Sequence, residues 1–539
     1  MLRYKGKLYL LAFILAACTS VPLLSIYASF LSFEVSNWRH LIDTVLTAYV
    51  VNSLILMLGV GLGTTLLGTS LAWCIVRYRF VGRSTLQWLV LLPLAMPAYI
   101  VAYAYTGLLD FSGPVQSWIR ARFELGFNQY WFPEVRSLTG AIVLMSLVLY
   151  PYVYLLARTA FKLQSSHLEE VSKLANKSSL QHILRVSLPL ARPAILIGAI
   201  LAMMEALADF GTVEYFGIST LTTGIYRTWF GMGDINTASQ LSALLCTFVF
   251  VLLFLEFSSR AASQAYQTKY QQKNLGISLP WPRGILVLVI CSLPVLFGFV
   301  IPFGLLSSWS IQYTQSGSLA EFAQLVINTA WLAVVGASII VSVALVISYA
   351  KRRNNGAVLQ FASRFVSLGY AMPGTVVAIG ILAPMGWLDK QINGLTLYFN
   401  DSTVGLIFSG SVIVLLFAYL VRFVSIALQY TDSGLQRIPN SLDEVSLSLK
   451  KTPRQSFFNV HLPLMSASVI SAFLLVFVDI LKELPATLVL RPFDFNTLAV
   501  KAFELASDER LIEAALPSVS IVLVGLLPVI LLTKTLERS

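Results

Sequence analysis

Charge is what this chain is short of: Asp, Glu, Lys and Arg make up 12% of its 539 residues, against about 25% in an ordinary soluble protein. Too few charges remain to coat a water-facing surface of that size, which excludes a soluble globular enzyme. Histidine and cysteine are scarce too, at four each. His40, His167, His182 and His461 are scattered, and Cys18, Cys74, Cys246 and Cys291 each sit in an apolar run. That leaves no metal-ligand spacing and casts the thiols as packing residues. A Gly-rich phosphate loop is missing as well, because Gly6-Lys7 is the only Gly-Lys pair and lacks both the earlier Gly and the following Ser or Thr. If ATP drives this protein, another chain hydrolyses it.

What is present is apolar: 57% of residues are hydrophobic and the mean hydropathy is +0.77. Runs of about 20 apolar residues span a bilayer as helix. The first half offers them at 8–33, 48–76, 85–109, 138–161, 190–210 and 238–258, and the second at 284–308, 325–350, 365–385, 403–427, 464–484 and 512–533. The expected fold class is therefore an all-α polytopic membrane protein with about twelve transmembrane helices, six per half. The basic start at Arg3, Lys5 and Lys7, followed by Leu15-Ala16-Ala17-Cys18, resembles a lipoprotein signal peptide. The apolar run continues through Phe33, however, beyond a signal core of about 7–15 residues, and reads as an uncleaved first span.

Lys and Arg fix the orientation. With the N-terminus inside, 27 of the 37 fall in cytoplasmic segments, nine in outer loops, and Lys482 lies within a span. Both termini are then cytoplasmic. The net charge of +11 and the run Lys351-Arg352-Arg353 follow from this bias and need no nucleic acid.

The halves repeat one another. At an offset of 276, Asn52 matches Asn328 and Ala95-Met96-Pro97 matches Ala371-Met372-Pro373. At an offset of 274, Ser166–Pro189 matches Asn440–Pro463, and Glu205 and Asp209 match Asp479 and Glu483. The chain is read as two six-span domains, 1–262 and 284–539, joined by a polar cytoplasmic linker, 263–283. An even number of spans per unit makes the repeats parallel, related by an axis along the membrane normal.

The polar copies 166–189 and 440–463 each read as helix, turn, helix. Ser166 and Asn440 are N-cap types with Glu169 or Asp443 three residues on, and Ser178 and Thr452 are placed to cap the second helix, with Pro453 at its first position. Both copies resemble the EAA loop of bacterial binding-protein-dependent ABC importer permeases, whose pattern is Glu-Ala-Ala, three residues, Gly, nine residues, Ile-x-Leu-Pro. Here Glu170-Val171-Ser172 leads to Val186-Ser187-Leu188-Pro189, and Glu444-Val445-Ser446 to Val460-His461-Leu462-Pro463, at that spacing. Val-Ser replaces Ala-Ala in both, and Asn176 and Lys450 replace Gly. Asn tolerates a left-handed turn and Lys does so poorly, so the second turn is expected to be built differently, with help from Pro453.

The resemblance implies a type I ABC importer permease fold in the bacterial inner membrane. It also implies docking of each loop into one of two copies of an ABC ATPase subunit, which binds ATP and Mg; this chain itself needs no cofactor and is not an enzyme. The docking residues it implies are Glu169, Glu170, Val171, Leu174 and Asn176 in the first copy and Asp443, Glu444, Val445, Leu447 and Lys450 in the second. A helix with apolar faces and an acid near its start also suits a groove physically, whereas a single such helix would equally suit lipid head groups.

Glu205 and Asp209 lie four apart on one helix face, as do Asp479 and Glu483. Acids in or at the mouth of spans usually face an interior or a water path, and four together would attract cations and repel oxyanions. They are the candidate substrate-pathway residues, with no metal stably bound. Met204–Thr212, Thr223–Trp229 and Lys482–Thr487 resemble segments of the fused ferric-iron importer permeases, which implies a periplasmic binding protein as further partner. A thiamine or other organic-cation importer, or a secondary transporter with a carboxylate proton relay, fits the same acids. So does solvation of the acids beyond the membrane, or pairing with Lys482, Arg227 or Arg491.

Overall fold

Leu, Ile, Val and Ala dominate the spans, and a bilayer leaves their backbone no partner but itself, so helix is the conformation they take. A computed structural model describes residues 2–32, 35–126, 129–164, 179–264, 276–314, 319–353, 356–400 and 403–537. Among them, nine helices are long and apolar enough to cross a membrane, and up to eleven when each of two bent pairs counts as one span. These eleven fall on eleven of the expected spans; the remaining one, 365–385, is divided.

The division has a local cause that the two halves share. In each, a one-turn 3-10 helix (Leu92–Ala95, Leu368–Ala371) ends at Met-Pro, and a new helix starts at Ala98 or Gly374. Proline donates no N–H and pushes the preceding residue out of the helical region; Met96 accordingly has φ −110° and ψ 115°. The first-half pair bends by 90° there. Spans three and nine are thus not the straight helices that hydropathy suggests.

Contacts divide the chain into two units that draw on both sequence halves. One holds residues 1–39, 225–246 and 318–501. In it the helix Leu319–Arg353 packs on Val412–Gln436 and Ser466–Leu481, and the N-terminal helix Leu2–Ala28 packs on Gly374–Asn400. The other holds residues 40–224, 247–317 and 502–539. There the helix Leu46–Arg77 packs on Leu138–Lys162 and Leu188–Ala208, and Ile301–Thr314 packs on Leu511–Glu537. A two-residue parallel ladder pairs Tyr78 with Ile277 and Arg79 with Ser278.

Small residues set the spacing in this second unit, as lipid-embedded packing requires. A Cβ on Gly68 would lie 2.7 Å from the Tyr150 carbonyl oxygen, and one on Gly198 would lie 2.7 Å from Val153 Cα. Both helices therefore press backbone-close against the same turn of Leu138–Lys162.

Candidate functional site

The second polar repeat folds as the short helices Ser441–Ser448 and Pro453–Ser456, continued by a π-helical turn, Phe457–His461. Thr452 caps the second helix in a reciprocal box: its hydroxyl accepts from the Gln455 amide, while the Gln455 side chain accepts from the Thr452 amide. That is the predicted cap, with Pro453 at the first helical position. The turn before it departs from expectation, because Lys450 itself takes the left-handed conformation at φ 54°. The geometry that Gly supplies elsewhere is kept, at the steric cost of a Cβ, rather than rebuilt.

Asp443 does not face outward. Its Oδ2 accepts from Arg352 Nε at 2.9 Å and from an Arg352 terminal amino group at 2.7 Å, a two-pronged geometry that only a guanidinium offers. Its Oδ1 lies 3.0 Å from His461 Nε2, close enough for an ion pair but off the line of a hydrogen bond. His461 is fully buried, its Nδ1 is 3.0 Å from the Ser456 carbonyl, and its ring packs against Tyr349. Arg352 also donates to the Leu435 and Pro439 carbonyls, and Tyr349 Oη donates to the Pro453 carbonyl. Leu442 packs onto Leu435, Ile438 and Met465. The loop is thus clamped to the end of Leu319–Arg353, across the 91 residues that separate Arg352 from Asp443.

Its other face is open. Glu444, Val445, Leu449 and Lys450 are exposed, so three of the five residues expected to dock are open to solvent. The Leu447 side chain lies outside the described residues. So do Glu169, Glu170, Val171, Leu174 and Asn176 of the first copy, and Ser166 and Ser178. What is described of the first copy is its end, where His182 Nε2 and Ser187 Oγ are 3.1 Å apart across a π-helical turn. The second copy carries Ser456 and His461 at these two places, so the residue types are exchanged.

Two of the four candidate pathway carboxylates, Asp209 and Glu483, share a local role. Asp209 ends the helix Leu188–Ala208, and its Oδ1 accepts from the amides of Thr212 at 2.9 Å and Val213 at 3.4 Å, its Oδ2 from the Thr212 hydroxyl at 3.1 Å. Glu483 does the same in the second half, accepting from the amides of Ala486 at 3.1 Å and Thr487 at 3.0 Å and from the Thr487 hydroxyl at 2.8 Å. In both, the acid holds the amides three and four residues on, which opens the next short helix, Gly211–Tyr215 or Pro485–Leu490. Glu483 also pairs with Arg422 at 2.6 Å, and its side chain is 1% exposed. Gly374 makes room for that pair: a Cβ there would lie 2.1 Å from the Arg422 amino group and 2.6 Å from Glu483 Oε1.

Asp479 pairs with Lys482 at 2.8 Å, one of the pairings foreseen, and Arg491 bonds Asn496. Glu205 is half-buried and close enough to Asp209 for the two charges to repel. Among the described residues, no three His, Cys, Asp or Glu side chains converge on a metal position. Arg352, Tyr349, His461 and Arg422 were missed as site residues. Arg352 and Arg422 were legible only as positive charge, and nothing local to either points to its partner.

Comparison with known proteins follows the same outline. The profile described as "Binding-protein-dependent transport system inner membrane component" matches residues 64–264 and again 340–539. The chain is 26% identical over 488 residues to the Fe(3+)-transport system permease protein FbpB 2 of Haemophilus influenzae, covering 90% of this chain and 89% of that one. It is 24% identical over 452 residues to the ferric transport system permease protein FbpB of Actinobacillus pleuropneumoniae, covering 79% and 62%. The molybdenum transport system permease protein ModB of Haemophilus influenzae is 24% identical over 207 residues, covering 38% of this chain and 86% of that one.

Proposed function

The chain belongs to the family of binding-protein-dependent transport system inner membrane components, and from that premise we propose that it is the fused permease of an ABC importer that carries ferric iron into the cytoplasm. The observation that supports the iron reading is the relatives that align through both repeats at once: the ferric permeases of Haemophilus influenzae and Actinobacillus pleuropneumoniae align over 90% and 79% of this chain, whereas the molybdenum permease, itself covered to 86%, is a shorter chain.

Domains 1–262 and 284–539, linked by 263–283, are the two parallel six-span repeats of the permease, with both termini in the cytoplasm, and the passage opens alternately to the two sides of the membrane. Two copies of an ATPase subunit, which hold ATP and Mg, dock on the loops 166–189 and 440–463; in the second, Glu444, Val445 and Lys450 meet the groove while Asp443 holds the loop to its span. A periplasmic binding protein delivers the ion outside. The exposed face of Ser441–Ser448 and the buried clamp behind it support this division of labour, since a lever must be open to the motor and stiffly joined to the load.

Of the four pathway acids, Asp479 and Glu483 are offset by Lys482 and Arg422, so the first-half pair, Glu205 and Asp209, sets the negative field along the passage rather than four acids closing around the ion. Asp209 and Glu483 already accept from backbone amides and hydroxyls, which leaves them little ligand capacity for a hard cation. Uptake of labelled ferric iron and of labelled thiamine in a strain deleted for this gene tests the cargo. Lost iron uptake with normal thiamine uptake is expected; the opposite pattern would reverse the assignment.

A further inference from the structure

Four cations gather where the second unit's helices end on the side that the Lys and Arg distribution assigns to the cytoplasm. Arg158 and Lys162 are four apart at the end of Leu138–Lys162, hence on one face. Arg79 lies in the short ladder, and Arg83 opens the helix Arg83–Leu89. Arg83 feels the charges of Arg79 and Arg158, and Lys162 those of Arg158 and Arg83. Among the described residues, the other group acting on Arg83 is the Tyr154 phenol, and no carboxylate acts on either cation.

Arg158 is the unusual member, because it is 5% exposed. One of its amino groups donates to Gln87 Oε1 at 2.9 Å, and its guanidinium lies over the Trp88 ring at 5.3 Å. Its Nε, also shielded from water, has no partner among the described residues. Arg83 has its Nε engaged by the Ile75 carbonyl at 2.6 Å, and Tyr154 Oη donates to the Gln87 carbonyl at 3.1 Å. Gln87 and Trp88 therefore fix the buried guanidinium in place, while among the described residues no acid pairs with its charge and no acceptor meets its Nε. Burying a cation without an acid is costly, and gathering three more around it adds repulsion.

We propose that Arg79, Arg83, Arg158 and Lys162 form a binding site for a phosphate-bearing anion, supplied by the headgroup of an anionic phospholipid of the inner leaflet. Arginine forks match phosphate oxygens, Arg79 and Lys162 are exposed at the entrance, and anionic lipids concentrate at the cytoplasmic surface.

The full-length permease with its ATPase, delipidated in detergent, tests the site through the thermal midpoint as lipid is titrated back. Phosphatidylglycerol should raise the midpoint and phosphatidylcholine should not. Arg79→Gln with Lys162→Gln, both at exposed positions, should require roughly 25-fold more phosphatidylglycerol, about fivefold per cation removed. Arg437→Gln, an exposed cation elsewhere on the same side, should match the wild type. Equal lipid dependence in the wild type and the double variant would overturn the site. Protection by inorganic phosphate alone, equal to that by phosphatidylglycerol, would keep the anion site and overturn its lipid source.

Discussion

Arg352→Met should release the second polar loop, 440–463, without unfolding the protein. The arginine makes two charge-assisted bonds to Asp443, at 2.9 and 2.7 Å, and further bonds to the Pro439 and Leu435 carbonyls. Arg352 is 10% exposed and Asp443 25%, between the exposed pairs that contribute about 0–1 kcal/mol and the buried ones whose breaking costs about 3–5 kcal/mol. A local cost of about 2–3 kcal/mol follows, a shift of roughly 30- to 150-fold in the opening equilibrium of the loop. Hydrogen exchange of the amides at 454–461 should speed up by that factor, while the helices Leu46–Arg77 and Leu138–Lys162 exchange as before. Arg352→Lys keeps the charge but loses the fork, and should fall between. Wild-type protection of 454–461 in Arg352→Met would refute the clamp.

Three further outcomes are expected. Glu444→Ala, at an exposed position, should change the melting temperature by no more than a surface substitution does, within about 0.5 kcal/mol, yet abolish stimulation of the ATPase by loaded binding protein; retained stimulation would remove Glu444 from the docking face. Gly374→Ala should destabilise by about 2 kcal/mol or more, because its Cβ would displace the Arg422–Glu483 pair, and a denaturation midpoint equal to wild type would contradict that packing. At Asp234, burial pushes the carboxyl up, but hydrogen bonds from Thr237, Asn37 and Asn236 outweigh it and hold it below the usual range. A depressed carboxylate contributes stability that is complete above its unfolded value, about 3.9, and lost as pH falls through the folded value. The thermal midpoint of the wild type should therefore exceed that of Asp234→Asn at pH 7 and lose this margin only below about pH 4, as melting curves of the two across pH would record.

Hydropathy and the internal repeat carried the fold a long way, because a span is a property of composition over some twenty residues and survives any local detail. Thr452, Gln455 and Pro453 formed the cap their spacing predicts for a related reason, since a cap is decided within a single turn. The Met96-Pro97 and Met372-Pro373 breaks were visible as a repeated motif, yet an apolar window averages over a proline and hides the bend. What stayed illegible was pairing at a distance. Arg352 reads as one more positive-inside charge until Asp443 is placed beside it, and Arg422, counted among the cytoplasmic cations, belongs instead to a buried pair with Glu483. Asp209 and Glu483 looked like pathway ligands because acids in a greasy chain demand a purpose. The amides three and four residues on supply one that lies in the backbone and leaves no mark on the side-chain sequence.

The central claim is that an ATPase bound at the two loops drives import through this chain. Its most direct test is uptake of labelled ferric iron into proteoliposomes holding the permease and its ATPase, with loaded binding protein on the outer face. Uptake that requires ATP on the loop side and disappears when the ATPase is omitted is the predicted result. Uptake without the ATPase, driven by a proton gradient alone, would contradict the account and make the carboxylates a proton relay.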